Sequence, residues 1–253
     1  MAAGLKYWVY RAVRGLVRAF YPRPRLVGTE NLPEGACVIV GNHAQMNGPI
    51  VAELYVPGDR AIWCNGEMMT LRKVPDYAYR DFWSEKPRGI RWFYRLLSYA
   101  IAPLSVCVFN NAHCIGVYRD TRLLSTFRQS LARLGDGARL VIFPERDPPH
   151  NHILYAFQDR FIDLGRMYDR QEGRALAFVP MYVAPALRQV VFGAPIYYDR
   201  SNAPEAERKR VCEALQRAIT DLACGLPRHR VVPYRNIPKK QYPMNLTDEE
   251  PKR

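Results

Sequence analysis

Short polar clusters follow apolar runs of this sequence, and their side chains suit acid–base and anion chemistry. The clusters are Asn42-His43, Arg119-Asp120 and Glu145-Arg146-Asp147. An imidazole titrates near neutral pH and can remove a proton from a hydroxyl, while a guanidinium can clamp a phosphate. A carboxylate can bind a substrate hydroxyl or an arginine. Taken singly, each residue also fits a structural role, as a core histidine or a surface ion pair.

The elements that must position these clusters are strands alternating with helices. Apolar runs predict strands over residues 36–41, 114–118, 139–143, 175–183 and 189–192. Helical spacing predicts helices over residues 49–56, 124–134 and 153–168, and a stripe over 211–222 predicts another, capped by Ser201 or Asn202. This alternation predicts an α/β fold, with a mostly parallel or mixed sheet flanked by helices. Ligands of such sheets collect beyond the carboxyl ends of strands, so the clusters are expected to meet at one crevice.

The amino-terminal segment is basic and amphipathic. The first 29 residues hold six Lys or Arg and no acidic residue, and apolar side chains from Leu5 to Phe20 fall at helical spacing. Such a helix can lie in a membrane interface and be held by anionic head groups. The alternative is a helix that packs on its own domain with solvated arginines. Residues 1–29 are predicted to be this membrane-associating helix, 30–235 the main domain and 236–253 a loosely attached polar tail.

Membrane-spanning and secreted classes are not predicted. Residues 96–118 carry no Lys, Arg, Asp or Glu, but only 96–109 is densely apolar, which is short for a span. A buried helix followed by a strand is the interpretation of this stretch. Arginines interrupt the amino-terminal apolar residues, so no secretory signal is predicted. The expected location is the cytoplasmic face of the cell membrane, as a peripheral or monotopic protein.

The overall charge favours anionic partners. Lys and Arg number 37 against 24 Asp and Glu, which gives a net charge of +13 over the 253 residues. A surface of this sign attracts nucleic acid, anionic lipid or phosphorylated substrates. No RNA-binding block or zinc-finger spacing accompanies the basic stretches, so nucleic acid is not a predicted partner.

A metal-dependent hydrolase is a second rival. Glu145, Asp147, His150 and His152 lie within eight residues, and such side chains can ligate metals. Their spacing matches no metal-site pattern, and no metal is predicted.

In order and spacing, four blocks of this sequence resemble the glycerophospholipid acyltransferase family, which includes the lysophosphatidate (1-acylglycerol-3-phosphate) acyltransferases. The blocks are Asn42-His43-Ala-Gln-Met-Asn-Gly48-Pro49, Gly116-Val-Tyr-Arg119, Val141-Ile-Phe-Pro-Glu145 and Phe178-Val-Pro-Met-Tyr-Val183. The resemblance spans residues 36–195.

This resemblance implies a glycerol-3-phosphate acyltransferase-like fold and acyl transfer from acyl-CoA or acyl carrier protein to a lysophospholipid hydroxyl. No cofactor is implied. His43 would be the general base. The substrate-binding residues would be Asn42, Asn47, Arg119, Glu145, Arg146 and Pro180, with Arg119 on the phosphate, Glu145 in the acceptor site and Pro180 in the wall of the acyl site.

Two positions depart from the family pattern. The family reads His-x4-Asp, and its aspartate falls here on Gly48; Arg146 stands where block three has glycine. Loss of the analogous carboxylate in a serine-protease triad lowers turnover by about 10⁴. Either Asn47, Asp120 or Asp147 completes the base, or the acceptor differs, or the protein binds lipid without turnover. An active but divergent enzyme is the favoured interpretation.

Overall fold

The computed structural model describes residues 2–83, 87–118 and 120–246. The chain forms two compact units, each built from two stretches of sequence. We call them the helical unit, residues 1–22 and 61–129, and the sheet unit, residues 23–60 and 130–253. The predicted division at residues 29 and 235 concerns roles and stays a prediction.

The strands and the α-helices are each numbered in chain order. The strands are β1 (Arg25–Val27), β2 (Cys37–Gly41), β3 (Arg60–Asn65), β4 (Cys114–Val117), β5 (Arg139–Ile142), β6 (Glu145–His150), β7 (Tyr155–Phe157), β8 (Ala177–Ala184), β9 (Gln189–Phe192) and β10 (Ile196–Tyr197). The α-helices are α1 (Ala2–Phe20), α2 (Asn47–Tyr55), α3 (Val74–Ala78), α4 (Arg91–Asn111), α5 (Leu123–Gly135), α6 (Asp163–Glu172) and α7 (Pro204–Cys224).

The sheet unit has a mostly parallel sheet flanked by helices, and this confirms the predicted α/β class. Strands β1, β9, β8, β2 and β5 lie side by side in that order, and β10 pairs with β8. The pairs β1–β9, β8–β2 and β2–β5 are parallel, whereas β8–β9 and β10–β8 are antiparallel. Every residue of β2 and β8 is buried, as expected for apolar strands covered on both faces. Helices α2 and α7 both contact β8.

The predicted cap of α7 is wrong. The helix begins at Pro204 with Ala203 as its N-cap. The Asn202 side chain is used elsewhere, because its amide donates to Glu207 at 2.8 Å. The carboxylate of Glu207 also accepts from the Asp199 backbone at 2.7 Å and pairs with Arg210 at 2.6 Å. A buried carboxylate inside the first turns therefore organises this helix start.

The predicted helix over residues 153–168 is wrong in its first half. Residues 145–157 form the antiparallel hairpin β6–β7, and α6 begins only at Asp163. The side chain of Asn151 closes the hairpin, because its Oδ1 accepts from the backbone N–H groups of Ile153 and Leu154 at 3.2 and 2.7 Å. These local bonds give the backbone an alternative to helix.

The helical unit pairs β3 with β4 in parallel and packs α1 against α4. Cys107 on α4 donates its thiol to the carbonyl of Lys6 on α1 at 3.2 Å. Helix α1 lies within the predicted amphipathic segment. Only a narrow stripe of its surface is covered, and buried Tyr10 belongs to that stripe. Its other apolar face is solvent-exposed: Trp8 is 64% exposed and Phe20 is 81% exposed.

Helix α4 differs from the expectation of a buried helix. Its buried side chains are the small residues Ser98, Ala102 and Ser105. The opposite face carries Trp92, 69% exposed, and Leu96, 62% exposed. By length and composition, the helical stretch Arg88–Asn111 is long and apolar enough to cross a membrane, and 17% of its most apolar window is buried. A strand does follow at β4, as predicted.

The chain after α7 folds back on the sheet unit. We call residues 226–246 the C-terminal loop. Asn245 is fully buried, and Arg230 forms a β-bridge with Met244. The buried Asn245 amide therefore anchors the end of this loop, and the predicted role of residues 236–253 as a polar tail stays a prediction.

Candidate active site

His43 lies just beyond the carboxyl end of the buried strand β2. Its ring is half-buried and meets two aromatic rings edge-on, Phe143 at 5.5 Å and Tyr234 at 5.4 Å between centroids. Nδ1 of the imidazole is hydrogen-bonded to the backbone carbonyl of Gln45. A carbonyl oxygen can only accept, so Nδ1 carries the proton in this bond and Nε2 carries the lone pair.

The turn between β2 and α2 explains how that carbonyl reaches the ring. Ala44 and Gln45 both have positive φ, 45° and 54°, which is unusual for residues with a side chain. Asn47 fastens the turn by donating its side-chain amide to the Ala44 carbonyl at 2.8 Å. The backbone N–H of Gly48 bonds the His43 carbonyl at 3.0 Å. Strained backbone held in this way clusters at functional sites.

Glu145, the first residue of β6, is hydrogen-bonded to the same turn. The residue is 4% exposed, and Oε1 accepts from the backbone N–H of His43 at 2.6 Å. Oε2 accepts from the backbone N–H of Tyr155 at 3.0 Å. Burial raises the pKa of Glu145 to about 7, although the two backbone hydrogen bonds oppose that rise. Glu145 thus joins the His43 backbone to the β6–β7 hairpin.

Asn42 is buried, and its amide bridges two strands. Its Nδ2 donates to the Val183 carbonyl at 3.1 Å, and its Oδ1 accepts from the Val183 N–H at 2.7 Å. This pair of bonds ties the end of β2 to β8. The predicted substrate contact of Asn42 stays a prediction.

Gly48 occupies a position without room for a side chain. A Cβ atom there would lie 2.6 Å from the His43 carbonyl oxygen, 2.7 Å from Cε1 of Phe143 and 2.9 Å from the Asn42 carbonyl oxygen. An aspartate cannot be accommodated at this position unless the backbone moves.

The remaining predicted site residues differ in exposure and in the partners they contact. Arg146 is exposed on β6, and Pro180 is buried in β8 opposite Val40. Arg119 lies outside the described residues, as does the side chain of Asp147. Asp120 forms an exposed ion pair with Arg122 at 2.7 Å. Their substrate roles stay predictions.

Three residues at the site were missed by sequence reasoning: Gln45, Tyr234 and Tyr242. The Gln45 side chain donates to the Tyr242 hydroxyl at 2.9 Å and to the Arg235 carbonyl at 3.3 Å. Gln45 acts on His43 through its backbone carbonyl, and every residue type has such a carbonyl, so the sequence carries no signal for this contact. The tyrosines stand in a polar, proline-punctuated segment, where only their aromatic character gave a signal.

The rival metal interpretation rests on Glu145, Asp147, His150 and His152. Among the side chains that the structure describes, which do not include that of Asp147, no group of three His, Cys, Asp or Glu is arranged to hold a metal ion. His150 instead lies with its ring 4.4 Å from that of Tyr155.

Comparisons with known proteins give a fold-level likeness. No family model matches the chain, and no curated protein matches it. Among solved structures, the chain is similar to the 1-acyl-sn-glycerophosphate (LPA) acyltransferase, PlsC, from Thermotoga maritima. The two are 14% identical, with a TM-score of 0.44, over 87% of this chain and 79% of that chain. At this identity and TM-score the likeness says nothing about substrate or activity, which depend on the residues of the site.

Proposed function

We propose that this protein is an acyltransferase that moves a fatty acyl group from acyl-CoA or acyl carrier protein to a hydroxyl of a lysophospholipid, such as 1-acylglycerol-3-phosphate. The proposal rests on the four sequence blocks together with the setting of His43. The observation that carries it is the hydrogen bond from His43 Nδ1 to the Gln45 carbonyl. This bond leaves the lone pair on Nε2, as a general base requires.

The reaction follows from that base. Nε2 of His43 takes the proton of the acceptor hydroxyl while the hydroxyl oxygen attacks the thioester carbonyl carbon. The new C–O bond forms, the C–S bond breaks, and the imidazolium returns the proton to the departing thiolate. The acyl group is never bound covalently to the enzyme. The same imidazole that takes the proton from the hydroxyl gives it to the thiolate.

The acceptor phosphate needs a cation, and the sequence supplies two candidates. Arg119 is the phosphate ligand that the resemblance implies, and Arg146 is an exposed guanidinium one residue after Glu145. Glu145 itself has both carboxyl oxygens bonded to backbone N–H groups. Its part in the proposed reaction is therefore to hold the His43 turn against the hairpin.

We also propose that the helical unit binds an anionic membrane surface. The outer faces of α1 and α4 expose large apolar side chains that the unit leaves uncovered: Leu5, Trp8, Leu16, Phe20, Trp92, Phe93, Leu96 and Tyr99. Arginines flank them on α1, and the Arg11 guanidinium lies 5.1 Å from the Trp8 ring. Apolar burial and attraction to anionic head groups act together in such helices. Helix α1 packs on α4 by one stripe only, and the membrane interpretation concerns the apolar face that this packing leaves exposed.

The test is thiol release from acyl-CoA or acyl carrier protein in the presence of a panel of lysolipids. His43→Asn should lower thiol release by about 10²–10⁴, the range for loss of a general base. His113→Asn is the matched control, since it removes an imidazole that belongs to the helical unit and not to the site. Full activity of His43→Asn would overturn the proposal.

A second candidate is a weakened acyltransferase that binds lipid without turnover. The crowded Gly48 favours it, because no carboxylate can follow His43 at the family's spacing. This candidate predicts that acyl donor and lysolipid bind while no thiol is released, in the same assay.

A further inference from the structure

The His43 imidazole is held by a neutral acceptor. In the family pattern a carboxylate stands at the position of Gly48, where this protein has no space for a side chain. The Gln45 carbonyl instead bonds Nδ1. A carbonyl can fix the tautomer of an imidazole as a carboxylate does, although it carries no charge to stabilise the imidazolium.

The strained turn does not hold this carbonyl by itself. Two successive left-handed residues with side chains, Ala44 and Gln45, are energetically costly. Such a conformation persists only when its surroundings fix it. Part of that support is local, from the Asn47 amide on the Ala44 carbonyl.

The other support comes from the C-terminal loop. The side-chain amide of Gln45 spans to the hydroxyl of Tyr242 at 2.9 Å and to the carbonyl of Arg235 at 3.3 Å. Tyr234, from the same part of the loop, meets the His43 ring edge-on and lies 6.0 Å from the Tyr155 ring. The loop thus contacts both the imidazole and the residue that supplies its hydrogen-bond acceptor.

The base of the C-terminal loop is fixed to the end of α7. The buried Asn245 amide donates to the carbonyls of Ala223 and Leu226 at 2.9 and 3.2 Å, and its Oδ1 accepts from the His229 N–H at 2.7 Å. The backbone of Val231 also bonds Pro243 across the loop at 2.9 Å. The part of the loop that reaches Gln45 therefore projects from an anchored base.

We propose that the C-terminal loop is a positioning element for the base: through Tyr242 and the Gln45 side chain, it holds the Gln45 carbonyl that keeps His43 in its Nδ1–H tautomer. The role in catalysis rests on the proposed function of His43. The tautomer of His43 does not depend on that function, so the tautomer and the catalytic role can be tested separately.

The test is ¹⁵N NMR of the full chain labelled at histidine, with the His43 signals identified by their loss in His43→Asn. Tyr242→Phe removes the hydroxyl that accepts from the Gln45 amide, and Gln45→Leu removes that amide while keeping a similar size; we call these two the clamp variants. Tyr197→Phe, on β10, is the matched control. We expect the Nδ1–H tautomer in the unchanged protein and in the control, and admixture of the Nε2–H tautomer in both clamp variants.

The same variants are then compared by thiol release. A lost hydrogen bond of about 1 kcal/mol corresponds to a five- to tenfold fall in kcat, with KM changed less than twofold. An Nε2–H tautomer in the unchanged protein, or an unaltered tautomer in both clamp variants, would overturn the inference. If the tautomers behave as expected but the unchanged protein releases no thiol, the positioning is supported and the proposed acyl transfer fails.

Discussion

The backbone N–H of His43 donates to the carboxyl group of Glu145 across 2.6 Å. Residues 102 positions apart are thus bonded directly, and the second carboxyl oxygen continues the link to Tyr155. The turn that carries the proposed base is fastened to the neighbouring hairpin through a buried group that titrates near neutral pH.

Substitution of Glu145 should change how stability depends on pH. The pKa of Glu145 in the folded protein is about 7, above the ordinary 4.5, so folding retains a proton that the unfolded chain releases between these values. The stability from this proton is fully present below pH 4.5 and is lost as pH rises to 7. The unfolding free energy of the unchanged protein minus that of Glu145→Gln should fall by about 3 kcal/mol over this range. Urea unfolding of both proteins at pH 4 and pH 8 measures this, and a constant or rising difference would contradict it.

Adding a side chain at Gly48 should destabilise the protein. Gly48→Ala places Cβ against two carbonyl oxygens and Phe143, and overpacking of this kind costs about 1–3 kcal/mol. Gly48→Asp should lose at least as much stability and gain no thiol release. Gly89→Ala is the control, because a Cβ at Gly89 meets nothing within 4 Å. A Gly48→Ala protein with an unchanged melting temperature would show that the turn can yield.

Asn42→Ala should weaken the joint between β2 and β8. The variant leaves the Val183 N–H and carbonyl without their side-chain partner, and each buried group left unpaired costs about 1–3 kcal/mol. Asn42→Asp keeps the acceptor for the Val183 N–H but sets a buried carboxylate oxygen against the Val183 carbonyl, so it should also be destabilising. A rise in KM for the acyl acceptor at unchanged stability would instead support the substrate-binding role predicted for Asn42.

Polar substitutions on the outer helix faces should release the protein from anionic vesicles. Burial of one large apolar side chain contributes about 1.5–3 kcal/mol, so Trp8→Ser and Trp92→Ser should each weaken binding about tenfold or more. Co-sedimentation with vesicles containing phosphatidylglycerol measures this, and Tyr197→Ser is the control for loss of an exposed aromatic ring. If Trp92→Ser binds as the unchanged protein does, α4 has no part in the membrane surface.

The sequence predicted the central strands well because their signal is local. Cys37–Gly41 and Gln189–Phe192 are apolar runs, and the structure has strands at those residues. The β6–β7 hairpin was missed because Glu145–His150 contains two prolines and charged residues, with little strand propensity. Side-chain hydrogen bonds fix it there: a long-range one from the His43 N–H to the Glu145 carboxyl group, and local ones at the Asn151 turn.

The candidate site was predictable only in part. His43 was found because its residue type and its place after a strand carry chemical meaning. Gln45 was not, since its contribution is a carbonyl whose direction depends on positive φ angles. The exposure of α4 was also hidden, because an apolar helix has the same composition whether a protein core or a membrane covers it.

The crowding at Gly48 couples residue 48 to its neighbours. A Cβ atom there would lie 2.7 Å from the Phe143 ring as well as 2.6 Å from the His43 carbonyl oxygen. Enlarging residue 48 is therefore expected to be epistatic with residue 143 and with the path of the turn, so that a smaller side chain at 143 should relieve only part of the cost.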